Sequence, residues 1–146
     1  MGRENSPCCV AIRSPLRRLP DDSAKYREHR ADLFDQLMQH AHTPRQAFAF
    51  SRTHATEVRR DWHEPVVAGS LMAVKDAVML RGLRAKFTQH RELAELLSAT
   101  YPAVLVEHTA NDTYWADGGG GGGDAGRNML GRLLMKVRAE LRSELF

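Results

Sequence analysis

The sequence predicts a mostly helical domain with one short buried strand near its C-terminal end. Apolar residues recur at helical spacing in five stretches, and proline, glycine or small polar residues separate most of them. Residues 103–106 instead form a short apolar run, rich in β-branched side chains, directly after Pro102. Such a run is typical of a buried strand. We expect it to lead through a polar, glycine-rich loop into the last helix.

The first 22 residues are predicted to be a disordered leader, because they contain three prolines and four arginines without clear periodicity. Gly2 with Ser6 satisfies a loose myristoylation pattern, with Cys8 and Cys9 as palmitoylation candidates, and an organelle transit peptide is a further alternative. Adjacent cysteines neither staple a core nor form a metal site, so a reducing compartment is expected. Unless the leader directs the protein to a membrane or an organelle, the predicted location is the cytoplasm.

Two helices are predicted directly after the leader. Residues 23–40 place their large apolar side chains on one broad face, and Ser23 is available as the N-cap. The second helix is expected to begin at Thr43 and Pro44, because threonine is a good N-cap and proline suits the first helical position.

Three more helices follow. One is predicted over residues 70–87, with Ser70 as a candidate cap and Leu71 turned toward the core. A short one covers residues 91–99 and ends before Pro102. The last begins at about Asn128 and is amphipathic, with its apolar positions repeating at helical spacing.

Length and charge limit the classes of function. A chain of 146 residues suits one domain, and its net charge of +3 is too small to indicate nucleic-acid binding. No apolar run approaches the ~20 residues of a membrane span, so no membrane partner is expected. His40 and His42 lack cysteine or carboxylate partners at ligand spacing, so we expect no metal and no cofactor. The oligomeric state stays open.

The loop before the last helix is the candidate site. Its glycine run, residues 118–123, lacks the lysine and hydroxyl of a P-loop, so its plainer interpretation is a flexible surface loop. Its position at a helix start favours an anion site instead. In that interpretation Arg127 and free backbone amides near Asn128 would bind a phosphate.

Asp112 and two tryptophans admit two interpretations each. A lone aspartate is commonly a turn residue that bonds local backbone. With Trp115 three residues later, Asp112 could instead stabilise a cationic sugar while the indole stacks on a base. Trp62 and Trp115 could equally be aromatic side chains that cap the core.

Blocks of sequence spread over residues 25–142 carry a family resemblance. They include Asp61-Trp62, Leu83-Arg84-Ala85-Lys86-Phe87, Leu105-Val106-Glu107-His108-Thr109, Asn111-Asp112 with Tyr114-Trp115, Asp117-Gly118-Gly119, and Gly126 with Asn128. In their order and spacing these blocks resemble the NADAR superfamily of YbiA-like N-glycosidases.

The resemblance implies a fold and a reaction. The fold is α+β, a mostly helical single domain around a small β-sheet, over residues 23–146. The reaction is hydrolysis of the N-glycosidic bond of phosphoribosylamino-pyrimidine intermediates of riboflavin biosynthesis, which releases ribose 5-phosphate, so the expected partner is a small phosphorylated N-glycoside. Two alternatives stay open. One is a glycohydrolase that removes ADP-ribose from guanine bases, the only interpretation that involves nucleic acid. The other is an inactive module that binds a nucleotide or ADP-ribose.

The resemblance also implies roles for individual residues. Asp112 matches the family's loop carboxylate, which acts on the developing oxocarbenium ion or on the attacking water. Trp62 and Trp115 match its tryptophans near the base or ribose, and these three are the predicted catalytic residues. Together with the anion argument above, the predicted contacts to sugar and phosphate are Lys86, Gly118, Gly119, Arg127 and Asn128.

The chain departs from the family pattern in three places. The family usually begins with aromatic-rich strands and a Ser-Glu-x-x-x-Gln motif, whose glutamate is a catalytic carboxylate, and here the leader occupies that place. Residues 65–71 resemble an insertion, and Ala116 stands where the family has glycine. We therefore expect an N-terminally incomplete domain whose activity suffers from the missing glutamate. A truncated product that folds poorly is a third hypothesis.

Overall fold

The computed structural model describes residues 25–26, 30–119 and 126–143. This part of the chain is mostly helical, as predicted. Its helices are α1 (Ala31–His40), α2 (Pro44–Thr53), α3 (Val74–Gln89), α4 (Arg91–Ala99) and α5 (Met129–Ser143), with a 3-10 turn at Ala55–Glu57. The described residues before Leu83 form one compact unit and those from Leu83 onward form another. The predicted leader, residues 1–22, and Ser23 lie outside the described residues.

The starts of α1 and α2 show how far local chemistry sets a helix end. Thr43 is the N-cap of α2 as predicted, since its hydroxyl accepts the Gln46 amide at 3.2 Å and Pro44 takes the first position. α1 begins at Ala31 and not at residue 23, and Arg30 precedes it without a side-chain cap. α4 has the predicted bounds.

α3 begins at Val74, later than the predicted start at Ser70. The Ser70 hydroxyl accepts the Met72 amide at 3.0 Å, so it closes a turn before the helix and caps nothing within it. The buried Asp76 carboxylate accepts the Ala73 amide at 3.0 Å and satisfies a donor at the true helix start.

The first unit has its core on α1 and α2. Leu33 and Leu37 are buried with Tyr26 and Ala47, and Phe50 packs against this cluster. The Tyr26 and Phe50 rings meet edge to face, with centroids 6.0 Å apart. Such an arrangement is favoured by the ring quadrupoles and adds to the apolar burial. The two leucines stand four residues apart, so both fall on the same face of α1.

The second unit has its core on the end of α3, on α4 and on α5. Its buried apolar residues include Leu83, Phe87, Leu97, Leu130, Leu133 and Val137. The Arg84 guanidinium on α3 donates to both carboxylate oxygens of Glu140 on α5, at 2.8 and 2.7 Å. This bidentate ion pair lowers the pKa of Glu140 and holds α5 against the end of α3.

The run before the site is extended but exposed. Val104 and Val106 are 74% and 50% exposed, so the prediction that they are buried is wrong. The Ala103 carbonyl accepts Nη1 of Arg138 at 2.8 Å, and the Leu105 carbonyl accepts Nδ2 of Asn128 at 2.9 Å. Side chains at the start and in the middle of the last helix therefore satisfy backbone groups that a neighbouring strand would otherwise bond.

No strand forms within the described ranges, where a single antiparallel bridge joins Pro65 to Ala73. The small sheet implied by the family resemblance therefore stays a prediction. The helices described here are short, the longest being the 16-residue α3. Crossing a bilayer takes ~20 apolar residues in a helix, and none of the described helices meets the length and hydropathy required.

Candidate functional site

The site loop, residues 107–119, is fastened to the start of α5. Four successive amides at this helix start donate to loop carbonyls: Arg127 to Thr113, Asn128 to Ala116, Met129 to Tyr114 and Leu130 to Trp115, at 2.8 to 3.1 Å. The expectation of free amides near Asn128 for a phosphate is therefore wrong, because the loop itself takes these donors. The helix start therefore positions the loop.

The Asn128 carboxamide joins the loop to the extended run before it. Its Nδ2 donates to the Leu105 carbonyl at 2.9 Å, and its Oδ1 accepts the Glu107 amide at 3.0 Å. The side chain thus bonds the carbonyl before Val106 and the amide after it. A neighbouring strand in a parallel sheet makes the same two bonds. Asn128 also has a φ of 46°, a left-handed conformation that asparagine tolerates better than most residues.

Asp112 closes a tight turn at the tip of the loop. Its Oδ1 accepts the amides of Tyr114 and Trp115, at 2.8 and 2.7 Å. This is the turn role that was one of the two interpretations of Asp112. The second oxygen, Oδ2, has no hydrogen bond among the described residues, and the side chain is half-buried. The carboxylate is thus held through one oxygen, and no described residue bonds the other.

Asp117 is the more buried carboxylate of the loop. Its Oδ1 accepts the amides of Gly119 and Thr109, at 2.8 and 3.3 Å, and its Oδ2 bonds Nδ1 of His108 at 2.7 Å. The hydrogen bond from His108, and then that from the Gly119 amide, hold the pKa of Asp117 below its usual value. The same bond, and then the Asp117 charge, raise the pKa of His108.

The aromatic side chains of the loop stand beside Asp112. The Trp115 and Tyr114 rings meet edge to face, with centroids 5.1 Å apart and planes at 83°. The guanidinium carbon of Arg127 lies 5.4 Å from the Tyr114 ring centre, within cation–π range. Both rings are half-buried and Arg127 is exposed. An aromatic surface and a cation therefore flank the turn that Asp112 closes.

The two described glycines of the run shape the loop. Gly118 and Gly119 have φ values of 73° and 77°, which favour glycine. A Cβ on Gly119 would lie 2.8 Å from the Cα of Ala110. Their amides were predicted to contact sugar or phosphate, but they donate to the Asp112 carbonyl at 3.2 Å and to Asp117. The other glycines of the run, residues 120–123, lie outside the described residues.

Two of the predicted site residues lie away from this loop in the chain. Trp62 belongs to the first unit, where Nζ of Lys25 lies 5.6 Å from its ring centre and where its carbonyl accepts the Lys75 amide at 3.1 Å. Lys86 lies on α3 in the second unit, is only 2% exposed, and has its Nζ 5.6 Å from the Phe87 ring centre. The structure thus brings together Asp112, Trp115, Gly118, Gly119, Arg127 and Asn128.

The pairing of His108 with Asp117 is the feature of the site that sequence reasoning missed. Both residues stood in blocks that carry the family resemblance, but neither was given a role. The only sequence signal is a histidine and an aspartate at the two ends of one loop, nine positions apart. Among the described residues, no group of three or more His, Cys, Asp or Glu side chains is placed to hold a metal ion.

Comparison with known proteins decides the family. The model of the NADAR domain matches residues 23–142, which is most of the chain. The chain belongs to the NADAR family. This NADAR chain is 46% identical to "N-glycosidase YbiA" of Escherichia coli over 102 residues, which are 70% of this chain and 56% of that relative. It is 35% identical over 108 residues to "Riboflavin biosynthesis protein PYRR, chloroplastic" of Arabidopsis thaliana, covering 71% of this chain and 16% of that protein.

A solved structure shows the same fold. The NMR structure of E. coli YbiA matches the NADAR chain with a TM-score of 0.64 and 38% identity, over 84% of this chain and 64% of that chain. The fold is therefore YbiA-like. The NADAR chain spans about half the length of the curated YbiA relatives that it matches.

Proposed function

We propose that this NADAR domain is an N-glycosidase that hydrolyses phosphoribosylamino-pyrimidines and releases ribose 5-phosphate. The observation that carries the proposal is the Asp112 carboxylate, which two backbone amides hold by Oδ1 while Oδ2 has no bond among the described residues. The names of the relatives, N-glycosidase and riboflavin biosynthesis protein, support the reaction class and a substrate from that pathway.

Hydrolysis of the N-glycosidic bond is favoured by a negative charge held near C1′. As the C1′–N bond of the ribosylamine lengthens, positive charge develops on C1′ and the ring oxygen. A carboxylate that is already held in place stabilises this charge without reorganising during the reaction. Water then adds its oxygen to C1′ and gives a proton to the Asp112 carboxylate, while the nitrogen keeps the electron pair of the broken bond and takes up a proton. The products are ribose 5-phosphate and an aminopyrimidine.

The loop and the start of α5 supply the substrate contacts in this proposal. The half-buried Trp115 ring, next to the Asp112 turn, offers a face on which a pyrimidine stacks. The exposed Arg127 guanidinium is the cation beside the turn and takes the 5-phosphate. Asn128 holds the loop in position through the backbone bonds described above. Trp62 and Lys86 remain proposed contributors on the strength of the resemblance.

The first test is sugar release by the wild type and by Asp112→Asn. Asparagine keeps an oxygen that accepts the Tyr114 and Trp115 amides, so the turn survives while the charge is lost. We expect turnover of 5-amino-6-(5-phosphoribosylamino)uracil to fall by about 10²–10³-fold. Asp35→Asn, at an exposed position on α1, is the matched control and should leave turnover unchanged. Retained turnover in Asp112→Asn would show that another group acts on C1′.

The same assay separates the alternatives. Release of ADP-ribose from ADP-ribosylated guanosine, without release of ribose 5-phosphate from the pyrimidine, would move the domain to the glycohydrolase class. A folded wild type that binds ribose 5-phosphate or ADP-ribose in calorimetry but releases no product would identify a binding module.

A further inference from the structure

The His108–Asp117 pair has the form of an oriented proton donor. The His108 side chain is 67% exposed, whereas the Asp117 side chain is only 5% exposed. The ionised carboxylate accepts hydrogen bonds and donates none, so Nδ1 carries the proton in their 2.7 Å bond. Nε2 then points away from the pair and has no bond among the described residues. This nitrogen is the reactive end of the ring.

The backbone holds the ring in this orientation. Asp117 takes the amide of Thr109 on its Oδ1, and its own amide donates to the carbonyl of Glu107 at 2.9 Å. The residues immediately before and after His108 are therefore both tied to the residue that binds its side chain.

The pair belongs to the same loop as Asp112. The amide of Gly118, the residue after Asp117, donates to the Asp112 carbonyl at 3.2 Å. Gly119, one residue on, packs so closely on Ala110 that a Cβ there would clash. These contacts fold residues 107–119 back on themselves, which places His108 and Asp112 on one small, cross-bonded loop.

The proposed reaction needs a proton donor that Asp112 cannot be. An amine nitrogen leaves C1′ readily only when it gains a proton as the bond breaks, and a carboxylate that accepts the proton of water is in the wrong state to supply it. We propose that Nε2 of His108 donates this proton to the departing nitrogen, with Asp117 as the positioning residue. The inference rests on the proposed N-glycosidase function.

The step balances. The C1′–N electron pair stays on nitrogen, which takes the proton from the Nε2–H of the imidazolium and leaves a neutral imidazole. Water supplies the hydroxyl on C1′, and its proton passes to Asp112 and then through solvent back to His108. The raised pKa of His108, caused by its bond to Asp117, favours the imidazolium that the step requires.

The test is chemical rescue. Because its ring is largely exposed, His108→Ala should fold as the wild type does, lose turnover by about 10²-fold or more, and keep a similar KM. Added imidazole should restore part of the rate, because it can enter the space left by the ring and supply the proton. His108→Gln removes the acid but fills that space, so it should be equally slow and should not respond to imidazole. His42→Ala, at an exposed position before α2, is the control and should behave as the wild type.

The outcomes separate the two proposals. A wild type without sugar release overturns the proposed function and the role of His108 together. A wild type that turns over, with His108→Ala equally fast, overturns the role of His108 alone. A slow His108→Ala that imidazole does not rescue, in a protein with unchanged circular dichroism, identifies a structural role and also overturns the inference.

Discussion

Asp112 and Asp117 are two carboxylates on one loop that differ in how many of their oxygens accept hydrogen bonds. Both oxygens of Asp117 have partners, two backbone amides and the His108 ring. Among the described residues, Asp112 has partners on one oxygen only, and that oxygen takes two amides. A carboxylate oxygen with spare acceptor capacity can meet a ligand, so the proposed reaction uses Asp112, whereas Asp117 supports the loop.

The linkage between His108 and Asp117 sets a pH dependence of stability. A raised histidine pKa contributes stability that is fully present below 6.5, the ordinary value, and is lost as pH rises through the raised pKa. A lowered aspartate pKa contributes stability that is present above 3.8 and is lost as pH falls through the lowered pKa. The charged pair therefore stabilises the fold most between these two ordinary values.

We predict that Asp117→Asn lowers the pKa of His108 toward its ordinary value, because it removes the charge while keeping a side chain of the same shape. Nuclear magnetic resonance titration of the His108 ring protons measures this directly. The free energy of unfolding of the wild type should exceed that of His108→Gln most between pH 3.8 and 6.5, and the difference should shrink as pH rises above 6.5 or falls below 3.8. An unchanged His108 titration in Asp117→Asn would contradict the pairing.

At the scale of elements, the extended run and α5 are joined by close approach as well as by hydrogen bonds. A Cβ on Gly131, in the first turn of α5, would lie 2.2 Å from the Leu105 carbonyl oxygen and 2.6 Å from the Asn128 carboxamide. Only glycine lets the helix come this near. Gly82, inside α3, has nothing within 4 Å of such a Cβ, so its lack of a side chain serves no contact.

The two helical glycines therefore predict opposite effects of one substitution. Gly131→Ala should destabilise the fold by about 1–3 kcal/mol, because the methyl group forces the Leu105 backbone or the Asn128 side chain to move. Gly82→Ala should stabilise it by up to about 1 kcal/mol, the difference in helix propensity between the two residues. Urea denaturation followed by circular dichroism compares both variants with the wild type. Equal effects of the same sign would show that the close approach is not present in solution.

The elements also show which features the sequence could predict. The cap of α2 at Thr43 and the bounds of α4 depend on neighbouring residues, so local patterns were sufficient. The turn at Asp112 is local in the same way. The bond between His108 and Asp117 and the exposure of Val104 depend on how the backbone folds in three dimensions, which no local pattern reports. The periodicity that assigned Leu71 to the core failed because α3 begins only at Val74.

At the scale of the whole molecule, each of the two units has its own buried apolar residues. An apolar side chain contributes to stability through its burial, and not through its presence in the sequence alone. Leu133 on α5 is 4% exposed, whereas Leu71 before α3 is fully exposed. The two leucines are chemically identical and differ only in burial. They offer a direct comparison of a core position with a surface position.

We predict that Leu133→Ala lowers the free energy of unfolding by about 2–5 kcal/mol, from lost burial and from the cavity that remains. Leu71→Ala should change it by no more than about 0.5 kcal/mol. Thermal and urea denaturation of the two variants, at equal protein concentration, measures both. A large loss of stability in Leu71→Ala would mean that this leucine is covered in solution.

The carboxamide of Asn128 stands where the backbone of a second strand could stand. In a sheet the pairing groups are peptide bonds, which every residue carries, so a single substitution seldom removes them. Here the Leu105 carbonyl and the Glu107 amide both bond the side chain of Asn128, so a single substitution at residue 128 removes both bonds. The loop that carries Asp112 and His108 is therefore sensitive to substitution of residue 128. That residue is distant from both of them in the chain.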